Sequence, residues 1–193
     1  MPLVYAKSAT GWWCWEAGTK GTKRAAAAAP FPDWITNDCV ITGKNQQEIR
    51  LREYFHDNCQ TFGNKYYEQQ SAIYYLVVKH QDYEVVEEFT NQSNIQIYIG
   101  SASKGVKKRW SEHCYVAKKV LELKYSQNTI EENKHQLVDN FLALARLRDF
   151  QMALFVVKCC DKETDMRPAE RECIDQHRRS IKHSLNVIQG KSS

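Results

Sequence analysis

"IYIGSASKGVKKRWSEH", residues 97–113, joins two kinds of chain in one short stretch. Its first part continues an alternation in which Ile95, Ile97 and Ile99 fall on one face and Tyr98 on the other, the period-two pattern of a half-buried strand. Past Gly100 the pattern stops. From Lys104 a run of Lys and Arg opens a helix-like segment, about 106–124, that carries Arg109, Trp110 and His113. Arg109 and His113 are one helical turn apart and share a face, whereas Trp110 lies at a different angle and reads as core. Gly100 is read as the residue that lets the backbone turn sharply where the strand ends.

The neighbouring segments extend the same pattern. "SAIYYLVVKH" at 71–80 is rich in β-branched and aromatic residues and reads as a strand, and "QMALFVVKCC" at 151–160 reads as a third. Between the first two lies a polar, acidic insertion at 81–94. "TIEENKHQLVDNFLALARLRDF" at 129–150 has amphipathic spacing, with Thr129 and Glu132 set for a capping box. Pro168 fits the first turn of a last helix over 168–180. Nearer the N-terminus, "NQQEIRLREYFH" at 45–56 predicts a short helix. The aromatic and then Gly/Thr/Lys-rich stretch at 11–24, five alanines, and prolines at 30 and 32 predict a linker over 18–32, because proline stops any helix the alanines start. Trp12, Trp13 and Trp15 are too apolar to be left in water and are expected to dock on the body or on a partner. The order of elements predicts an α+β fold. Its expected centre is a small, mainly antiparallel three-stranded sheet flanked by helices, with an N-terminal extension and linker over 1–65 and the main domain over 66–193.

Composition narrows the function classes. The 193 residues have room for one domain with a real core. No segment approaches the roughly 20 apolar residues needed to cross a bilayer, and the N-terminus lacks the order of a signal peptide. The expectation is a chain with no membrane partner, cytoplasmic, or nuclear in a eukaryote. Seven cysteines with no CxxC pair support neither a disulfide framework nor a zinc ribbon, and reduced, mostly buried thiols are expected. Cys173-x3-His177 has metal-like spacing, but two ligands are too few to hold zinc. The net charge is only +4, yet residues 104–124 hold seven Lys and Arg against two Glu. Such a segment is the electrostatic footprint of phosphate contact, although a solvated helix face has the same composition.

"AIY" at 72–74, "YIG" at 98–100, "RWSEH" at 109–113, "ERECIDQH" at 170–177 and Asn186 occur in the order and elements of the GIY-YIG nucleases, which this sequence resembles over about residues 72–187. Taken alone, Tyr74 and Tyr98 are ordinary sheet tyrosines, Arg109 an ordinary salt-bridging residue and His113 an ordinary helix-surface residue. Together they carry the resemblance. It departs from the family at Ala72, which stands where the first motif has glycine. The spacing from Tyr74 to Tyr98 is also long, and Asn186 lies further from Glu170 than in compact members.

The resemblance implies a metal-dependent DNA endonuclease, with Tyr74 as general base and Tyr98 orienting water and phosphate. A free phenol titrates near pH 10, so a tyrosine base needs its pKa depressed, for which Arg109, Lys107 or a metal are candidates. Arg109 offers a planar donor fork matched to phosphate oxygens, and His113 can hydrogen-bond a phenol or phosphate. Glu170 would supply the carboxylate for one hard cation, Mg²⁺ or Mn²⁺. Glu172 lies about 200° round the helix and cannot share its face. Asn186 would help hold the phosphate site together, and Lys104, Lys107, Lys108, Lys118 and Lys119 would contact double-stranded DNA.

A restriction-type enzyme is the leading expectation, with target recognition drawn from 1–65, from 81–94 or from a partner. Cutting both strands with one site calls for a homodimer or successive nicks. The alternatives are a structure-selective repair or mobile-element nuclease, and a nucleic-acid-binding module that kept the fold without activity.

Overall fold

The computed structural model describes residues 3–9, 11–16, 27–29, 31–62, 70–79, 95–115, 151–161 and 163–181. The expected longer helix at 129–150, the 81–94 insertion, the end of the helix predicted to reach 124, and Lys118, Lys119 and Asn186 lie outside these residues, as do the side chains of Trp13 and Trp15.

In chain order the strands are β1 (Leu3–Ser8), β2 (Gly11–Glu16), β3 (Ala27–Ala29), β4 (Val40–Thr42), β5 (Glu48–Arg50), β6 (Ala72–Lys79), β7 (Ile95–Ala102) and β8 (Gln151–Cys159). The helices are α1 (Leu51–Asn58), α2, described over residues 106–115, and α3 (Met166–Ser180). β6 pairs antiparallel with β7 along its whole length, from Ala72 opposite Ala102 to Lys79 opposite Ile95, and antiparallel with β8 on its other side.

These three strands are the antiparallel unit read from the sequence, but the sheet is larger. Six strands follow the order β3-β2-β1-β8-β6-β7, with β1 parallel to β8 and the other pairs antiparallel. The expectation of three strands with an N-terminal extension is therefore corrected to a six-stranded mixed sheet that residues 3–16 help to build. The physical reason is the character of β8, whose Leu154, Phe155 and Val156 are buried to within 1%. A strand covered on both faces makes a poor sheet edge, and β1, with Val4 and Ala6 fully buried, pairs with it instead. Ala27–Ala29, placed in a linker by the sequence reading, form the outer strand β3 against Trp12–Cys14. Proline at 30 forbids a helix there but not an edge strand.

The helix expected from residue 45 begins later, at Leu51, because Glu48–Arg50 pair with Val40–Thr42 as a hairpin whose turn holds Gln46 at φ +58°. Two cores cover the two faces of the large sheet. On one, α1 and α3 pack over Ile73, Tyr75, Ile97, Ile99 and Phe155. Here Phe55 stacks on Phe155 at 4.3 Å between ring centres, with Trp12 edge-on to Phe155 at 5.5 Å. Trp12 thus docks on the body, as expected. Truncating either phenylalanine to alanine costs on the order of 3–5 kcal/mol. On the other face, α2 places Val106 and Trp110 over Tyr74, Leu76, Leu154 and Val156. Residues on both sides of position 65 share the first of these cores, with Leu51, Tyr54 and Phe55 of α1 set against Tyr75 of β6.

None of the seven cysteines is in a disulfide; Cys39, Cys59 and Cys173 are buried, and the other four are half-buried. Among the described residues no helix is long and apolar enough to cross a membrane.

Candidate active site

The β6–β7 register puts Tyr74 opposite Gly100 and Leu76 opposite Tyr98, so Tyr74 and Tyr98 are diagonal neighbours on one sheet face. Their rings lie 6.4 Å apart. Tyr75, the adjacent tyrosine, points the other way and packs with Tyr54, Phe55 and His177. Period-two alternation alone separates the two.

Gly100 does not end its strand, contrary to the sequence reading. β7 runs on to Ala102, and the chain turns at Gly105, which has φ +86° and whose carbonyl accepts an early helical hydrogen bond from the Arg109 amide. Gly100 is required for space: a Cβ there would lie 2.6 Å from the Tyr74 hydroxyl, 2.7 Å from Tyr74 Cζ and 2.7 Å from Tyr98 Cε1. Its missing side chain lets both rings lie over the strand.

α2 brings its polar residues to the same rings. Val106, Trp110 and His113 form its buried stripe, at spacings of four and three. His113 is 2% exposed, and its Nε2 hydrogen-bonds the Tyr74 hydroxyl at 2.8 Å, with the Tyr98 ring edge-on to the imidazole at 5.7 Å. Arg109, half-buried beside them, gives one guanidinium nitrogen to Glu112 at 3.0 Å. Its Nε–H is buried with no hydrogen-bond partner among the described residues. A buried donor of this kind is costly unless something accepts from it, and a phosphate oxygen is a fitting acceptor.

The electrostatics run against one expectation. Tyr74 is 1% exposed, and burial pushes its phenol well above the ordinary value near 10; Tyr98 adds to the rise, Arg109 opposes it, and Glu170 adds a little more. The phenol is raised rather than depressed, because loss of hydration outweighs the nearby guanidinium. Burial works against the Arg109 charge as well, but Tyr74, Glu112 and Tyr98 more than compensate and hold its pKa above the ordinary arginine value.

Glu170 arrives from α3, on the opposite face of the sheet. Met166, Ala169, Cys173 and His177 form the buried stripe of that helix, and Glu170 stands half-buried at its flank. Ser101, next to Gly100 in β7, donates from Oγ to Glu170 Oε2 at 2.6 Å. Glu172 points away and pairs with Lys158 at 2.9 Å. That pairing depends on a bulge: Ile73 faces Lys158 but Tyr74 faces Val156, which leaves Val157 as the extra residue. The bulge lies beside Tyr74, and the Val157 carbonyl is taken by the Gln60 amide at 2.7 Å.

Sequence reading missed Ser101, the Glu112 partner of Arg109 and the bulge. Glu112 stands three residues after Arg109, a helical spacing that could have flagged the pair, whereas Ser101 and Glu170 are 69 residues apart and share no local signal. Of the lysines, Lys104 and Lys108 are exposed and Lys107 is half-buried, all around the start of α2.

Among the described residues no group of three His, Cys, Asp or Glu side chains converges as a closed metal cage. One half-buried carboxylate, with Oε1 free of protein hydrogen bonds among those residues, fits a hard divalent cation whose other ligands are water and substrate oxygens. No protein-family model, curated protein or solved structure matches this chain.

Proposed function

We propose that this chain is a metal-dependent endonuclease that hydrolyses DNA phosphodiester bonds, with a GIY-YIG-like site made of Tyr74, Tyr98, Arg109, His113 and Glu170. The observation that carries the reading is the convergence at Gly100. Two phenols, a histidine and an arginine with a buried free donor meet on one side of β7, and the Glu170 carboxylate is tied to the next residue of that strand.

Each group then has a task. The Arg109 Nε–H and guanidinium charge bind a non-bridging phosphate oxygen and stabilise the charge that grows on it. Tyr98, half-buried, orients the attacking water beside that phosphate. Because Tyr74 stays protonated at neutral pH, it does not act as a preformed base. As its oxygen takes a proton from water, its own proton passes to His113 Nε2, and the imidazolium holds the charge. Glu170 would hold Mg²⁺ or Mn²⁺, which supplies Lewis-acid stabilisation of the phosphate and leaving oxygen. Lys104, Lys107 and Lys108 give the entering duplex a basic approach, and a restriction-type role with a homodimer for double-strand cutting remains part of the proposal.

One observation favours a second reading. Tyr74 is so deeply buried that a nucleic-acid-binding module without activity would preserve the same packing. Incubating the protein and Glu170→Ala with long duplex DNA, in Mg²⁺ or EDTA, separates the two. Metal-dependent cutting by the parent alone supports the nuclease, and discrete fragments indicate restriction-type specificity. If both proteins bind duplex, single-stranded and branched DNA and cut none of them, the binding module replaces it. Cutting confined to branched or hairpin DNA points to the structure-selective alternative.

A further inference from the structure

We infer that Ser101 is a positioning residue for the metal-binding carboxylate, an inference that rests on the nuclease reading above. On the α3 side of β7 the alternating series runs Ile97, Ile99, Ser101: two buried isoleucines, then a hydroxyl where the strand reaches the site. That hydroxyl donates 2.6 Å to Glu170 Oε2. Glu170 makes no other hydrogen bond or ion pair among the described residues, so Ser101 alone restrains its carboxylate there.

Two consequences follow from elementary chemistry. A glutamate side chain has several rotamers, and one short hydrogen bond selects among them, which removes an ordering cost from cation binding. Donation to Oε2 also assigns the two oxygens different work, one held by protein and the other left to the cation. Groups that hold a metal-ligating carboxylate in this way change affinity or activity by roughly 10–100-fold when removed. The strand that sets Tyr98 over Gly100 therefore also sets Glu170, from the opposite sheet face, through the very next residue. Phenols and carboxylate are placed by one rigid element rather than by two loops.

The experiment uses the full chain and Mn²⁺ itself as probe. Binding is read from loss of the electron paramagnetic resonance signal of free Mn²⁺, and the Mn²⁺ dependence of duplex cleavage is read in parallel. Parent, Ser101→Ala, Ser101→Thr and Glu170→Gln are compared, with urea midpoints confirming that each is folded. Ser101→Ala is expected to need roughly 10–100-fold more Mn²⁺ for half-saturation and for half-maximal cleavage. At saturating Mn²⁺ its cleavage rate should recover, and Ser101→Thr, which keeps the hydroxyl, should stay close to the parent. A parent that binds Mn²⁺ through Glu170 while Ser101→Ala binds it equally well overturns this inference and leaves the nuclease reading standing. Ser101→Thr failing as badly as Ser101→Ala also overturns it, since the hydroxyl would then be irrelevant. A parent with no Mn²⁺ binding that Glu170→Gln abolishes, and no metal-dependent cutting, removes both.

Discussion

Gly100→Ala tests the central packing of the site with the smallest possible change. The added methyl would stand 2.6–2.7 Å from the Tyr74 hydroxyl, Tyr74 Cζ and Tyr98 Cε1. Ordinary carbon contacts begin near about 3.5 Å, so both rings, or the strand beneath them, must give by roughly 0.8 Å. Tyr74 has little room to do so: it is 1% exposed, packed in the core with Leu154 and Val156, and bonded to His113. Overpacking of a filled core costs about 1–3 kcal/mol, and this geometry belongs at the upper end. For a chain of this size, with a urea slope of about 2–3 kcal/mol/M, the unfolding midpoint should fall by roughly 1 M. The substitution also moves the two phenols relative to Arg109 and Glu170, and a displacement near 1 Å at reacting groups costs on the order of 100-fold in rate. Urea denaturation followed by tyrosine and tryptophan fluorescence, together with cleavage of a duplex under saturating Mg²⁺, measures both effects. Adding Tyr74→Phe to Gly100→Ala removes the nearest atom but leaves Cζ, so stability should recover only in part. A midpoint within about 0.2 M of the parent, with cleavage unchanged, would refute the claim that Gly100 exists to admit the rings.

Two further outcomes are expected. Glu170→Gln keeps an acceptor for Ser101 but loses the negative charge, so metal-dependent cleavage should drop by at least about 100-fold while Glu172→Gln, which disturbs only the exposed Lys158 pair, cuts at the parental rate; equal losses in both would show that α3 does not contribute through Glu170. Stability should hold up to about pH 9 and then fall. Burial raises Cys59, Cys173 (to about 11), Tyr54, Tyr74 and Tyr75 above their unfolded values, so their contribution is complete below those unfolded values and is lost as pH rises through the folded ones. Urea midpoints between about pH 8 and 11 measure the decline, Tyr75→Phe should make it shallower, and a flat profile would contradict these burials.

Much of the framework could be read from local pattern. β-branched and aromatic content marks β6, the run at 151–160 reads as the strand that is β8, and alternation marks β7 and sets Tyr74 and Tyr75 on opposite faces. Helical spacing keeps Trp110 in the core, whereas the burial of His113 was not legible there. Helical geometry separated Glu170 from Glu172 before any neighbour was known, and the structure sends them to Ser101 and Lys158 respectively. These properties follow from dihedral periods of two and 3.6, which a short window of chain contains in full.

The remaining features depend on partners distant in the chain. Whether residues 3–16 dangle or pair is decided by β8, some 150 residues away, which is buried on both faces and takes β1 as its neighbour. The purpose of Gly100 depends on two rings, one of them from another strand, and the partner of Ser101 on a helix that packs from the opposite side. The state of Tyr74 is the clearest case. Its motif and its basic neighbours suggested an easily ionised phenol, yet the structure surrounds it with apolar side chains and keeps it protonated. Sequence period determines which face a side chain takes; desolvation and close approach belong to the assembled core, and only the tertiary structure decides them.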